Sequence, residues 1–294
     1  KELCNSAFLL HYDQYKDKIL DDGRIETIFV NHVVNNLVKG LSDDLMVLRT
    51  YKLEGSDYDS NVKVIENSVV EKPEPFVVYV VNDDSIVNAL SFGVSRKILI
   101  FTGMLKAINY DEEFISVILS HEIGHVLQRH SGETLGFNQM MYILSDTLRT
   151  LLWFPFLAAL GPFINEYINV MAQNLITAYG ATKYNQKEEK EADFVGLQLM
   201  ALSGYHPGKA VELWSYLAIN KDQMALEDLP EIYSSHPSEY TRAQYLSEVL
   251  PDAHKIYEEV IKNKGKAIPF NFKEIMDKPN ETVQNRPWFT IKLF

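Results

Sequence analysis

Residues 111–130 read DEEFISVILSHEIGHVLQRH, and the interpretation of the whole chain turns on this stretch. Asp111, Glu112 and Glu113 form the acidic opening that suits a helix N-terminus, where carboxylates meet the positive end of the helix dipole. Phe114, Val117 and Ile118 follow at helical spacing ahead of His121, which predicts a helix running to about His130. Within it, His121-Glu122-Ile123-Gly124-His125 is H-E-x-x-H. Positions i and i+4 share one helical face about one turn apart, so two imidazoles can reach a single zinc ion. Glu122 is one residue along from His121, close enough to act on a metal-bound water without occupying a coordination position, which is the role of a general base. The bare pentapeptide also arises by chance. Its setting, a 3.6-period helix following a strand, favours the metal reading over a helix bearing two solvated histidines.

A catalytic zinc usually takes three protein ligands and leaves the fourth position for water. The segment Val126-Leu127-Gln128-Arg129-His130 lacks the Gly and His offsets that would supply a third imidazole. The better source is Glu188-Glu189-Lys190-Glu191-Ala192-Asp193. Glu189 and Asp193 stand four apart on one helical face, so Glu189 can ligate while Asp193 receives the N–H of a ligand histidine and fixes its tautomer. Glu188 and Glu191 are the alternatives if the register differs. Taken alone, such an acidic run is a solvated helix start; the upstream H-E-x-x-H reverses that preference. Ser235-His236-Pro237 and Arg242 make a third element, in which His236 and Arg242 could both donate to the oxyanion on a scissile carbonyl across a Pro-started helix. Asn88-Ala89-Leu90 makes a fourth. An exposed strand edge there could add the substrate as an extra strand, with a plain turn as the competing interpretation.

Composition limits the remaining options. The chain has 294 residues, 46% hydrophobic and 23% charged, enough for one large or two ordinary globular domains. Its 40 Asp+Glu against 28 Lys+Arg give a formal charge of −12, which repels phosphate backbones and argues against nucleic-acid binding. Cys4 is the only cysteine, so an intramolecular disulfide and a thiolate zinc site are both excluded, and a metal must rely on His and carboxylates. The chain opens at Lys1-Glu2-Leu3-Cys4 with no initiator Met, basic leader or long apolar stretch, and reads as a processed or trimmed form.

Along the chain, two or three helices are expected over residues 1 to about 50, one of them carrying Ile25, Ile28, Phe29, Val33 and Leu37 and ending at Lys39-Gly40. Turn chemistry around a short Val62–Val64 strand leads to strands at Phe76–Val81 and Lys97–Phe101. Leu151–Ile164 is uncharged over 14 positions, short of the roughly 20 residues a bilayer-spanning helix needs. With Pro155, Gly161 and Pro162 breaking it, the segment is expected to be re-entrant, interfacial or a buried hairpin. An amphipathic helix over Glu166–Tyr179 should precede helices at Glu188–Ser203, Pro207–Asn220 and Ser238–Lys262. The expected organisation is an N-terminal helical segment and linker over 1–75, a zinc-peptidase domain over 76–262 with the apolar insertion at 151–164, and a tail over 263–294. The fold class is α+β, mainly helical, with a small sheet beside the H-E-x-x-H helix.

Taken together, H-E-I-G-H, E-K-E-A-D at 189–193, S-H-P-S-E-Y-T-R at 235–242, the N-A-x-x-x-G segment from Asn88 and F-T-G-M-L at 101–105 resemble the membrane-associated gluzincin peptidases. That superfamily includes the HtpX-type quality-control proteases and the prenyl-protein endopeptidases, and the match spans about Phe76 to Lys262. Glu189–Leu202 and Ser235–Ile256 are similar to its mitochondrial inner-membrane branch, whose activity overlaps that of the m-AAA protease. The resemblance implies one zinc per chain on His121, His125 and Glu189, catalysis by Glu122, support from Asp193, and transition-state stabilisation by His236 and Arg242. It also implies membrane association, polypeptide substrates that are membrane or misfolded proteins, and a quality-control role in the mitochondrial inner membrane; homo-oligomerisation is left open. Leu90-Ser91-Phe92 departs from the aromatic-then-small pattern that follows Asn-Ala in the family, and Arg96-Lys97 sit where a smoother edge strand is usual. Two rival functions are kept: a bacterial-envelope peptidase of the same superfamily, and a peptidase-fold holdase that binds segments without much turnover. An intact Glu122 argues against the second, because a binding module has no use for a base beside the metal. His11, His32, His206 and His254 are expected to be surface or packed residues and not ligands.

Overall fold

In the strands, β-branched and aromatic residues alternate between two faces, and the two faces bury against different helices. The computed structural model describes residues 2–41, 75–152, 161–220 and 239–265. β1 (Val77–Val81), β2 (Ala89–Phe92) and β3 (Lys97–Phe101) form a sheet in the order β1-β3-β2. β3 is central, parallel to β1 and antiparallel to β2. Val78, Val80, Ile98 and Ile100 face the main core, whereas Val81, Leu99 and Phe101 pack with Phe8 and Phe92 in a second, smaller cluster. Phe8 comes from α1 (Glu2–Tyr15), which lies on that outer face. The free side of β1 is taken up by the segment after α1, through Leu20 N to Val80 O (2.8 Å) and Asn82 N to Lys18 O (2.8 Å). Among the described residues this leaves β2 as the sheet edge without a strand partner.

α2 (Ile25–Val38) contributes Phe29, Val30, Val33, Val34 and Leu37 to the main core, and the chain leaves it at Lys39-Gly40 as expected. α3 (Thr102–Ala107) is a short helix that the sequence reading did not anticipate. α4 (Glu112–Gln128) is capped by Asp111, whose carboxylate accepts from Glu113 N (2.9 Å) and Phe114 N (3.1 Å). It stops at Arg129, which adopts a left-handed conformation (φ 61°), and α5 (His130–Leu152) starts immediately. α5 was likewise unanticipated.

The two helices expected at Glu166–Tyr179 and Glu188–Ser203 are one element, α6 (Pro162–Leu202), 41 residues long. Between them stand Gly180 and seven residues without proline, and a single interior Gly costs only about 1 kcal/mol against Ala, too little to stop a helix supported on both sides. Pro162 occupies its first position behind Gly161. α7 (Gly208–Asn220) and α8 (Glu239–Lys264) complete the core with Leu213, Leu217, Leu246 and Ala253. The architecture is therefore mainly helical with one small sheet, as the α+β expectation held. The Val62–Val64 strand, residues 153–160 of the apolar insertion, His236 and nearly all of the tail lie outside the described residues. Among the described residues, no helix is long and apolar enough to cross a membrane.

Candidate metal centre

The site forms where α4 crosses α6, and two glycines set how closely the helices approach. A Cβ on Gly124 would lie 2.8 Å from Ala192 O, and one on Gly196 would lie 3.0 Å from His121 N. Each helix thus presents a glycine to the other's backbone within a turn of the H-E-x-x-H. Side chains from both helices can then meet at one point.

At that point His121 Nε2 and His125 Nε2 are 3.1 Å apart. The Glu189 carboxylate approaches both, with Oε2 3.3 Å from His121 Nε2 and Oε1 3.2 Å from His125 Nε2. One ligand atom from each of the three lies within 4.8 Å of the others, so the group could hold a metal ion. The donor chemistry fits zinc. Two imidazole nitrogens and a carboxylate converge from a largely buried setting, a donor set typical of a zinc site with one position left for water.

The far side of each imidazole is also engaged. His121 Nδ1 lies 2.9 Å from Asp193 Oδ1. Asp193 in turn accepts from Arg242 Nε (2.9 Å) and Arg242 Nη2. Arg242 Nη2 also comes within 2.9 Å of His121 Nδ1, but an Nδ1 that donates to Asp193 has no lone pair to offer, so the guanidinium bonds the carboxylate. Arg242 Cζ sits over the Trp214 ring, 3.4 Å from its centroid. On the other imidazole, His125 Nδ1 faces His130 Nδ1 at 2.8 Å, and His130 Nε2 lies 3.4 Å from Glu191 Oε2.

Burial sharpens these charges: His121, Glu189, Asp193 and Arg242 are each about 5% exposed or less. Burial and the adjacent Arg242 push the His121 imidazole down, yet Glu189 and Asp193 outweigh them and raise it from 6.5 to about 9. Burial raises the Asp193 carboxyl, but Arg242 and the His121 contact hold it below the ordinary carboxylate value. His130 is pushed well below 6.5, first by burial and then by His125, and stays neutral.

His121, His125, Glu189, Asp193 and Arg242 are thus brought together as a unit. Of the three acidic candidates it is Glu189 that reaches the imidazole pair, whereas Glu191 turns toward His130. Glu122 is buried on α4, and against the downward pull of burial it adds, behind Asp193 and Glu189, to the carboxylates that raise the Arg242 guanidinium. Asn88 is buried just ahead of β2, its carbonyl accepting from Phe101 N (3.1 Å). His11 packs near Phe92, His32 near Asn36 and Glu112, and His206 with His254 and Tyr257, all apart from the metal group. Sequence reading missed His130 and Trp214. His130 stands five residues beyond His125, off its face in any unbroken helix, and only the turn at Arg129 returns it.

A family model described as peptidase family M48 matches residues 59–250. The mitochondrial metalloendopeptidase OMA1 of Arabidopsis thaliana is 32% identical over 186 residues, covering 62% of this chain and 34% of the relative. The mitochondrial metalloendopeptidase OMA1 of Homo sapiens is 29% identical over 187 residues, with the same coverage of 62% and 34%. The beta-barrel assembly-enhancing protease of Yersinia pestis is 29% identical over 167 residues, covering 55% of this chain and 32% of the relative. The chain thus spans about a third of the length of these curated relatives.

Proposed function

This chain belongs to peptidase family M48, and on that premise we propose that it is a zinc-dependent metalloendopeptidase acting on membrane or misfolded proteins. The observation that carries the reading is the convergence of His121 Nε2, His125 Nε2 and the Glu189 carboxylate from two helices. His121, His125 and Glu189 would hold a zinc ion, which when bound would supply Lewis-acid polarisation of the scissile carbonyl and a water of lowered pKa. Glu122 takes the proton of the attacking water and returns it to the leaving amine. Asp193, gripped by Arg242, holds the His121 ring and its tautomer. Because two of its nitrogens are committed to Asp193, Arg242 serves mainly by holding that carboxylate, and the transition-state charge falls chiefly to His236. Substrate is added along the edge of β2 near Asn88, the sheet edge without a strand partner among the described residues.

The names of the OMA1 relatives support a mitochondrial setting, and the inner membrane is the proposed compartment, with quality control as the role. Tyr142 and Ile143 midway along α5, Leu151 at its end, and Phe163 and Tyr167 at the start of α6 are all strongly exposed, which supports membrane association beside the apolar insertion. A bacterial-envelope role is the second reading, favoured by the beta-barrel assembly-enhancing relative. A precursor leader distinguishes the two, since an Arg-rich, acid-poor presequence means mitochondrion and an apolar h-region means export.

The deciding experiment is cleavage of an unfolded polypeptide by matched detergent-solubilised samples of the wild type and Glu122→Gln, with zinc measured on the same preparations. The proposal expects equal zinc in both and cleavage by the wild type alone. Cleavage retained in Glu122→Gln overturns the base assignment. Zinc bound with no cleavage by either sample turns the reading toward a holdase.

A further inference from the structure

His125 has a partner on its outward nitrogen that the activity outlined above does not use. His130 is 2% exposed, and both of its ring nitrogens face partners: Nδ1 lies 2.8 Å from His125 Nδ1 and Nε2 lies 3.4 Å from Glu191 Oε2. Glu191 Oε1 is 3.3 Å from Lys187 Nζ, one helical turn back on α6. The backbone is shaped for this contact. Arg129 takes a left-handed conformation at φ 61°, costly for a residue with a side chain, and that single residue ends α4 and swings His130 back against His125.

The hydrogen-bond directions follow from the metal-facing side. For His125 Nε2 to offer a lone pair toward His121 and Glu189, its proton must sit on Nδ1. His130 Nδ1 must then accept, which leaves its own proton on Nε2, directed at Glu191. We infer that His130 is a positioning residue for the second imidazole ligand, holding His125 in its Nδ1–H tautomer and ring orientation through the chain His125 to His130 to Glu191. Asp193 with Arg242 does the same for His121, so each imidazole has its own support: a buried ion pair for the first, and a histidine leading to a half-exposed carboxylate for the second.

The inference depends on the proposed metal site, and its test keeps the two apart. Zinc-loaded full chain is mixed with a chelator and the rate of zinc loss is read for the wild type, His130→Leu, His130→Asn and Glu191→Gln. Far-UV circular dichroism and the visible spectrum of the cobalt-substituted form are recorded alongside. Removing such a support typically costs about 10- to 100-fold in metal affinity, so His130→Leu should lose zinc about tenfold faster or more and shift the cobalt bands. His130→Asn should recover most of the difference, because its amide oxygen can accept from His125 Nδ1, and Glu191→Gln should show a smaller acceleration. Equal rates and identical cobalt spectra across the set overturn the role of His130 and leave the metal site standing. A wild type that takes up neither zinc nor cobalt overturns both. If His130→Leu does not fold, the half-exposed Glu191→Gln decides: faster loss supports the inference and an unchanged rate overturns it.

Discussion

The Arg242 guanidinium carbon sits over Trp214, 3.4 Å from the ring centroid, while its Nε and Nη2 hydrogen-bond Asp193. All of the charge in this contact is buried, so its energetics are those of an interior ion pair. Removing one partner strands the other, which typically costs about 3–5 kcal/mol. Arg242→Leu should therefore lower stability by about that amount, and Arg242→Leu combined with Asp193→Leu should recover part of the loss. Trp214→Leu, which removes only the stacking surface and some packing, should cost about 1–2 kcal/mol through the lost cation–π term. Urea unfolding of the three variants checks the order; a Trp214 effect equal to that of Arg242 would contradict it.

The helix crossing makes a second prediction. Gly124→Ala would put a Cβ 2.8 Å from the Ala192 carbonyl oxygen, a contact with backbone that cannot rotate away. Overpacking of this kind costs about 1–3 kcal/mol, and here it also pushes α6, with Glu189, away from the two histidines. Gly124→Ala should therefore lose both stability and metal affinity. Gly136→Ala, on α5 with nothing within 4 Å, should be neutral or slightly stabilising, because Ala favours a helix by up to about 1 kcal/mol over Gly. Thermal melts and zinc titrations on the pair distinguish the steric effect from the loss of any glycine.

The same crossing marks how far the sequence could be read. His121 and His125 were legible as a pair because a four-residue spacing fixes their common face of the helix before any tertiary contact exists. Glu189 and Asp193 were legible by the same periodicity, although the choice among Glu188, Glu189 and Glu191 needed the angle at which α6 meets α4. β1 and β3 followed from their β-branched and aromatic runs and the turn residues around them, whereas the segment from Asn88 was open to either a strand edge or a plain turn. What escaped were features set by a single backbone torsion or by long-range approach. Arg129 takes the left-handed turn that ends α4 where Gly or Asn would have signalled it, so α5 and the return of His130 were missed. The Trp214 seat for Arg242 joins α7 to α8, and nothing local announces it. The continuity of α6 was hidden by a polar stretch whose propensity is only mildly unfavourable.

A third prediction concerns Tyr205, in the turn between α6 and α7. Its hydroxyl donates to Glu112 Oε1 (2.9 Å) at the start of α4 and accepts from Asn36 Nδ2 (3.2 Å) on α2. Burial and then Glu112 raise its pKa, so it remains a neutral phenol at any working pH. Tyr205→Phe keeps the ring and removes a hydroxyl that joins these three elements. It should lower the urea midpoint by the equivalent of about 1–2 kcal/mol without altering the slope or the zinc content. A change in zinc content would mean that this network reaches the metal group.

The fourth prediction follows from His121 in the metal-free protein. Glu189 and Asp193 raise its imidazole from 6.5 to about 9 against the opposing pull of burial and Arg242. The folded value lies above the unfolded one, so folding favours the protonated ring: the stabilisation is fully present below about pH 6.5 and is lost as pH rises through about 9. The Tm of metal-free protein should fall across that window. A divalent cation needs the unprotonated Nε2, so uptake near neutral pH must displace this proton, whereas well above pH 9 there is none to displace. Zinc titrated calorimetrically in buffers of different ionisation heat should release about one proton more near pH 7 than near pH 10. Equal release at both, or a metal-free Tm that rises between pH 6.5 and 9, would mean that the carboxylates around His121 do not hold its charge in the way their distances imply.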